Sequence, residues 1–203
     1  MPVRRIDLPD EIRAALSVSA AAIAPATAPA AASSAIPGTG PHSAASDPDA
    51  PGPAAPGPDA TARATPAAVA EPDYTAAFEL VLPQPTTRSP EDWARAVFEG
   101  APMALRRFIR AGWRFPLGFQ LGPPGSPAHV LGSRIISADR TMIVLEQRSS
   151  LMTAHNIVFV ERTRIVWTTL VRYQHPLARP LWSVSTALHH RILPRLLTRA
   201  AHT

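Results

Sequence analysis

HVLGSRIISADRTMIVLEQRSSLMTAHNIVFVERTRIVWTTLVRY, residues 129–173, is the stretch whose reading decides the fold. It divides into four runs rich in β-branched and aromatic residues: His129–Ser137, Met142–Ser149, Thr153–Glu161 and Thr163–Tyr173. Short breaks around Ala138-Asp139-Arg140, Ser150-Leu151-Met152 and Arg162 separate them. A parallel pair needs a crossover of a dozen or more residues, so connections this short predict an antiparallel meander.

Working outward toward the N-terminus, Leu121–Pro127 (LGPPGSP) is a loop of turn formers. Before it, Ser89-Pro90-Glu91-Asp92 places a capping hydroxyl, a proline at the first helical position and acids behind it, and so opens a helix that ends at Gly100. A second helix is predicted from Pro102 to Ala111, with Leu105, Phe108 and Ile109 on one side and Gly112 as its C-cap. Tyr74–Leu82 alternates as a strand. In the other direction, Pro180 to about Ala200 reads as a long helix. Leu181, Val184, Leu188 and Ile192 set its apolar side, and Pro194 is expected to bend or restart it. Helices in the N-terminal half, an antiparallel sheet and a long C-terminal helix to lie across it define an α+β layer arrangement.

The ends of this body are joined to an unusual tract. From about Ser17 to Glu71 the chain is almost entirely Ala, Pro, Gly, Ser, Thr and Asp. Such a composition cannot bury enough apolar surface to offset the entropy of ordering it, and is expected to stay disordered. Val3–Leu16, by contrast, has apolar anchors at Val3, Ile6, Leu8, Ile12 and Leu16, and Pro9 can open a short helix there. One domain is therefore expected, composed of residues 1–16 and 72–203 and interrupted by an insert at 17–71.

Composition bounds the function. All 20 basic residues are Arg, Asn156 is the lone Asn, and the net charge is +5. Arg in place of Lys reads first as genomic codon bias, so a nucleic-acid partner is not expected from charge alone. With no Cys there is no disulfide, thiolate metal site or cysteine nucleophile. No run is long and apolar enough to be a membrane span. The mildly apolar Leu16–Ala24 follows Asp7, Asp10 and Glu11 and precedes Pro25 and Pro29, unlike a signal peptide, and a cytoplasmic location is the simpler expectation.

Several segments resemble a bacterial family of unknown function within the START-like (SRPBCC) superfamily of helix-grip folds, which includes polyketide cyclases and lipid carriers. They are Arg4–Leu8 (RRIDL), Asp73–Phe78 (DYTAAF), Trp93–Gly100 (WARAVFEG), Leu145–Ser149 (LEQRS), Thr153–His155, Val171–Tyr173 and Leu188–Pro194 (LHHRILP). The resemblance spans residues 3–16 and 73–201. It implies a curved antiparallel sheet wrapped on the C-terminal helix, an apolar ligand held between them, and the Ala/Pro tract as a lineage-specific insertion. It carries over no established activity.

The most suggestive polar set lies on the strands. Alternation puts Glu146 and Arg148 on one face with Met142 and Val144, and His155 with Ile157 and Phe159. Facing a cavity, an acid, a base and an imidazole suit general acid/base work; facing out, they are ordinary cross-strand pairs. With Trp167, Tyr173, Trp182 and His189 they complete the candidate ligand contacts. Large aromatics, including Trp113 and Phe159, are more often simply core. His189 and His190 are neighbours on a helix, about 100° apart, with no partner carboxylate on that helix, so neither a metal nor another cofactor is expected. Arg106, Arg110 and Arg114 recur every four residues, as do Arg191, Arg195 and Arg199. The plainest account of each stripe is a helix with its basic face in water, and the sharper one an anionic membrane or nucleic acid. The first functional expectation is a binding module for a small apolar ligand. A cyclase/dehydratase-like enzyme using His155 with Glu146 or Arg148, and an interaction protein using its basic helices, are the alternatives.

Overall fold

The computed structural model describes residues 2–10, 12–14 and 71–203. Leu16 and all but the last residue of the 17–71 insert lie outside the described residues. Seven strands form one open antiparallel sheet: β1 (Val3–Ile6), β2 (Tyr74–Val81), β3 (His129–Val130), β4 (Ser133–Ala138), β5 (Met142–Arg148), β6 (Met152–Val160) and β7 (Arg164–Tyr173). Their spatial order is β1-β2-β7-β6-β5-β4-β3. The meander β3 to β7 thus runs consecutively across the sheet, and β2 closes onto the last strand of the meander, with Phe78 opposite Trp167. Three helices follow the strand faces: α1 (Pro90–Phe98), α2 (Met103–Arg114) and α3 (Ala178–Ala200).

The first of the four runs is not one strand. Val130 pairs with Ser133, so Leu131-Gly132 is a two-residue hairpin turn. Both turn residues have positive φ, 49° and 97°. This is the mirror-image turn whose twist matches paired strands. Glu99 accepts from the Leu131 amide at 2.9 Å, and Arg110 donates to the Leu131 carbonyl at 2.9 Å. Two helices therefore hold a non-glycine residue in a left-handed conformation.

Each helix terminus reflects its local chemistry. Ser89 caps α1 with a complete capping box: its hydroxyl accepts from the Asp92 amide, and Asp92 accepts from the Ser89 amide. In α2, Gly112 does not act as the C-cap. The helix runs on to Arg114, which lets Trp113 pack edge-on to Phe98 at 5.3 Å. The last helix starts at Ala178, two residues before the expected Pro180, and continues unbroken through Pro194.

The sheet has two unlike faces. On one, Phe78, Leu80, Ile143, Leu145, Val158, Ile165 and Trp167 pack against Trp93, Val97 and Phe98 of α1 and Leu193, Leu196 and Leu197 of α3. On the other, Ala77 and Val166 enclose Ile12, which is fully buried, together with Ile6, Leu8 and Phe159. Residues 10 and 12–14 are helical, with the Arg13 amide bonded to the Pro9 carbonyl. Arg4 of β1 sits opposite Glu79 of β2 and donates to its buried carboxylate. The N-terminal segment is thus bound both by edge pairing and by packing across the sheet. No helix among the described residues is long and apolar enough to cross a membrane.

Candidate functional site

The C-terminal half of α3 packs closely against the sheet and α1, whereas its N-terminal half meets the strands through Ala178 and Trp182. Between residues 177 and 192, α2 and the α3 helix stand off the sheet and leave a cavity of about 780 Å³. Phe98, Phe108, Ile109, Trp113 and Leu117 form one wall, and Leu181, Trp182, Leu188, Ile192 and Leu193 form the facing wall. The floor comes from alternate positions of the central strands: Gln147 of β5, Ala154 and Asn156 of β6, and Thr169 of β7. The small Ala154 side chain is one reason for the depth, since a larger residue there would fill the space. Among the described lining residues there is no Asp, Glu or Arg.

The polar floor is a connected chain whose proton positions follow from counting donors. Trp167 Nε1 can only donate, so the atom it meets at 3.2 Å is the Asn156 oxygen. That oxygen must also receive the Thr169 hydroxyl proton at 2.8 Å. With its proton used there, Thr169 Oγ1 accepts from His189 Nε2 at 3.1 Å. His189 therefore carries its proton on Nε2, and Nδ1 is an acceptor enclosed without a partner. Burial, with a smaller effect of the neighbouring His190, pushes this imidazole down to about 4. It is neutral at pH 7. Asn156 is left with its amide nitrogen uncommitted on the cavity floor. Gln147, whose Nε2 donates to Ser133 at 2.6 Å, keeps its carbonyl oxygen.

The two histidines diverge as helical geometry requires. His189 reaches β7, whereas His190 Nε2 lies 2.7 Å from the Tyr74 hydroxyl of β2. Tyr74 in turn stacks edge-on to Trp182 at 5.4 Å. The pair ties α3 to two neighbouring strands on the same side of the cavity.

The candidate residues from the sequence divide into three groups. Trp182 and His189 line the cavity, as does Trp113. Trp167 is fully buried beneath the floor and acts through Asn156, and Tyr173 packs with Met152, Val171 and Ala178 beyond the lining. Glu146, Arg148 and His155 are brought together, but on the other face of the sheet. Glu146 accepts from Arg148 at 2.8 Å and from His155 at 3.2 Å, with Met142, Val144, Ile157 and Phe159 around them. The expectation that this set surrounds a ligand in the cavity is corrected by strand parity: Gln147, not Glu146, points to the helices. Burial works against ionising Glu146, but hydrogen bonds from His155 and then Arg148 outweigh it and bring the carboxyl down to about 2. Gln147, Asn156 and Thr169 were not singled out from sequence. Their signal was the shared parity with Ile143, Leu145, Val158 and Trp167, the more continuously apolar set.

No model of a known protein family, no curated protein and no solved structure matches the chain.

Proposed function

We propose that this chain is a helix-grip-type binding module for a small apolar ligand bearing an uncharged polar group, related to the START-like proteins that its segments resemble. The observation that supports this reading is the cavity: about 780 Å³, open at one side and lined largely by aromatic and aliphatic side chains of α2 and α3. That volume lies within the usual range of small-molecule sites, roughly 300–1,000 Å³. A charged ligand group would be buried there without a counter-charge, at a large desolvation cost. A carbonyl or hydroxyl would instead find the Asn156 amide as donor or the Gln147 carbonyl as acceptor. An acid–base reaction run by Glu146, Arg148 and His155 has no route to such a ligand, because the sheet itself stands between them.

Gly112 provides the test. It lines the cavity on α2, and a Cβ placed there meets nothing within 4 Å. Gly112→Trp should project an indole into the cavity and obstruct it, whereas Gly112→Ala should leave it almost unchanged. The neutral fluorophore N-phenyl-1-naphthylamine should brighten with wild type and Gly112→Ala, and bind at least about tenfold more weakly to Gly112→Trp. Absence of binding to wild type, or equal binding to Gly112→Trp, would rule the cavity out as the ligand site. Native mass spectrometry of protein from its own host would show the natural occupant as an added mass that Gly112→Trp lacks.

A further inference from the structure

The cavity has an unusual mouth. Phe108 of α2 and Leu177, Val184 and Leu188 of α3 all line it, yet they are 52%, 58%, 80% and 45% exposed. On the same helix as Phe108, Met103 and Phe115 at the two ends of α2 are 58% and 79% exposed. These are six of the seven large apolar side chains that the described residues expose. Surface apolar residues are normally scattered, and a contiguous group marks an interaction site.

The charges around this rim are of one sign. There is no Asp or Glu between Gly100 and Ala138, and none after Glu161. Arg107, Arg114, Arg191 and Arg195 are exposed. On α3, Leu177, Val184, Leu188, Arg191 and Arg195 follow at intervals of seven, four, three and four, which places them on one helical stripe. On α2, Met103, Arg107 and Arg114 run beside Phe108 and Phe115 in the same way. Ile109 of α2 is buried, with Leu105 and Trp113 packed beside it, which leaves Met103, Arg107, Phe108 and Arg114 outward.

We propose that the cavity mouth docks on an anionic lipid bilayer, with Phe108, Phe115, Val184 and Leu188 in the interface and the four arginines on lipid phosphates. An amphipathic helix with aromatic and aliphatic residues beside cations is the chemistry of interfacial binding. A second copy of the chain fits poorly, because self-association through this face would bring two acid-free arginine surfaces together. Nucleic acid would satisfy the arginines but leave Met103, Leu177, Val184 and Leu188 without a partner. Docking stands on rim exposure and charge, independently of what fills the cavity.

The full chain should co-sediment with vesicles of equal parts phosphatidylglycerol and phosphatidylcholine, and not with phosphatidylcholine alone. Raising the salt should weaken binding. Phe115→Asp combined with Val184→Asp changes only exposed positions, so the chain should keep its circular dichroism and melting temperature while losing about tenfold or more in vesicle affinity. The proposal is overturned if the wild-type chain stays in the supernatant with anionic vesicles, or if the double aspartate variant binds them unchanged. It is equally overturned if the chain ignores vesicles and instead binds duplex DNA, or forms a dimer that the aspartates dissociate.

Discussion

At the scale of residues, His189 and Glu146 make stability depend on pH in two separate windows. His189 is held to about 4 in the fold, below the ordinary value of 6.5. The unfolded chain therefore takes up a proton first as pH falls, and the stability present above 6.5 is lost on the way down to about 4. At 1.36 kcal/mol per unit, discounted for the partial exposure of the residue, the loss is about 2–3 kcal/mol. Glu146 ionises at about 2 rather than 4.5. Its contribution is complete above 4.5 and disappears as pH drops toward 2. The Arg148 head group is half-exposed and screened, so roughly 2 kcal/mol is at stake. Urea unfolding across both windows should show His189→Gln flattening the upper slope and Glu146→Gln the lower. An upper slope that persists in His189→Gln would contradict the buried neutral imidazole. The chemistry of both residues was legible in the sequence. Their positions were not: alternation groups Glu146 with Val144 and His155 with Ile157, but both faces of these strands are buried, so nothing in the pattern says which face meets the helices.

At the scale of elements, local chemistry settled most boundaries and tertiary packing settled the rest. The Ser89 capping box and the alternating runs are short-range signals, and the structure places α1, β5, β6 and β7 within a residue or two of where they point. Gly112 misleads because glycine usually ends a helix, yet here the contact of Trp113 with Phe98 is reached only by continuing the helix. Leu131-Gly132 is harder to see, since a leucine at positive φ is unfavourable until Glu99 and Arg110 hold it. The two glycines should consequently respond in opposite ways to the same change. Gly112→Ala removes a helix-interior glycine where there is open space, and should stabilise by about 0.5–1 kcal/mol, about 1–4 °C in Tm. Gly132→Ala puts a side chain at φ 97°, with Cβ 2.7 Å from the Arg110 guanidinium and 3.0 Å from Leu121, and should cost about 1–3 kcal/mol. Thermal melts of the two variants measured together would check both signs, and a stabilising Gly132→Ala would refute the turn geometry.

At the scale of the whole molecule, the sheet separates two environments that the sequence presents as one pattern. The helix-bearing face carries the cavity and its neutral polar floor. The opposite face carries the ion cluster and the N-terminal segment. Ile12 lies 62 positions before Tyr74, where β2 begins, yet its segment supplies an edge strand and a fully buried side chain. The entropy of closing so long a loop grows only logarithmically, so a few good contacts are enough to hold it. Ile12 supplies the largest of these, enclosed by Ala77 and Val166. Ile12→Ala should cost about 2–4 kcal/mol, the usual range for a buried Ile replaced without collapse of the site. A chain beginning at residue 15 loses more. It uncovers the edge of β2, exposes Ala77 and Val166 to water, and leaves the buried Glu79 without Arg4, with Arg164 still 3.7 Å away. Denaturant titration should show a lower midpoint for the truncated chain than for Ile12→Ala, and amide exchange in β2 should accelerate along the strand. Unchanged stability in both variants would mean that residues 3–14 are not an integral part of this domain.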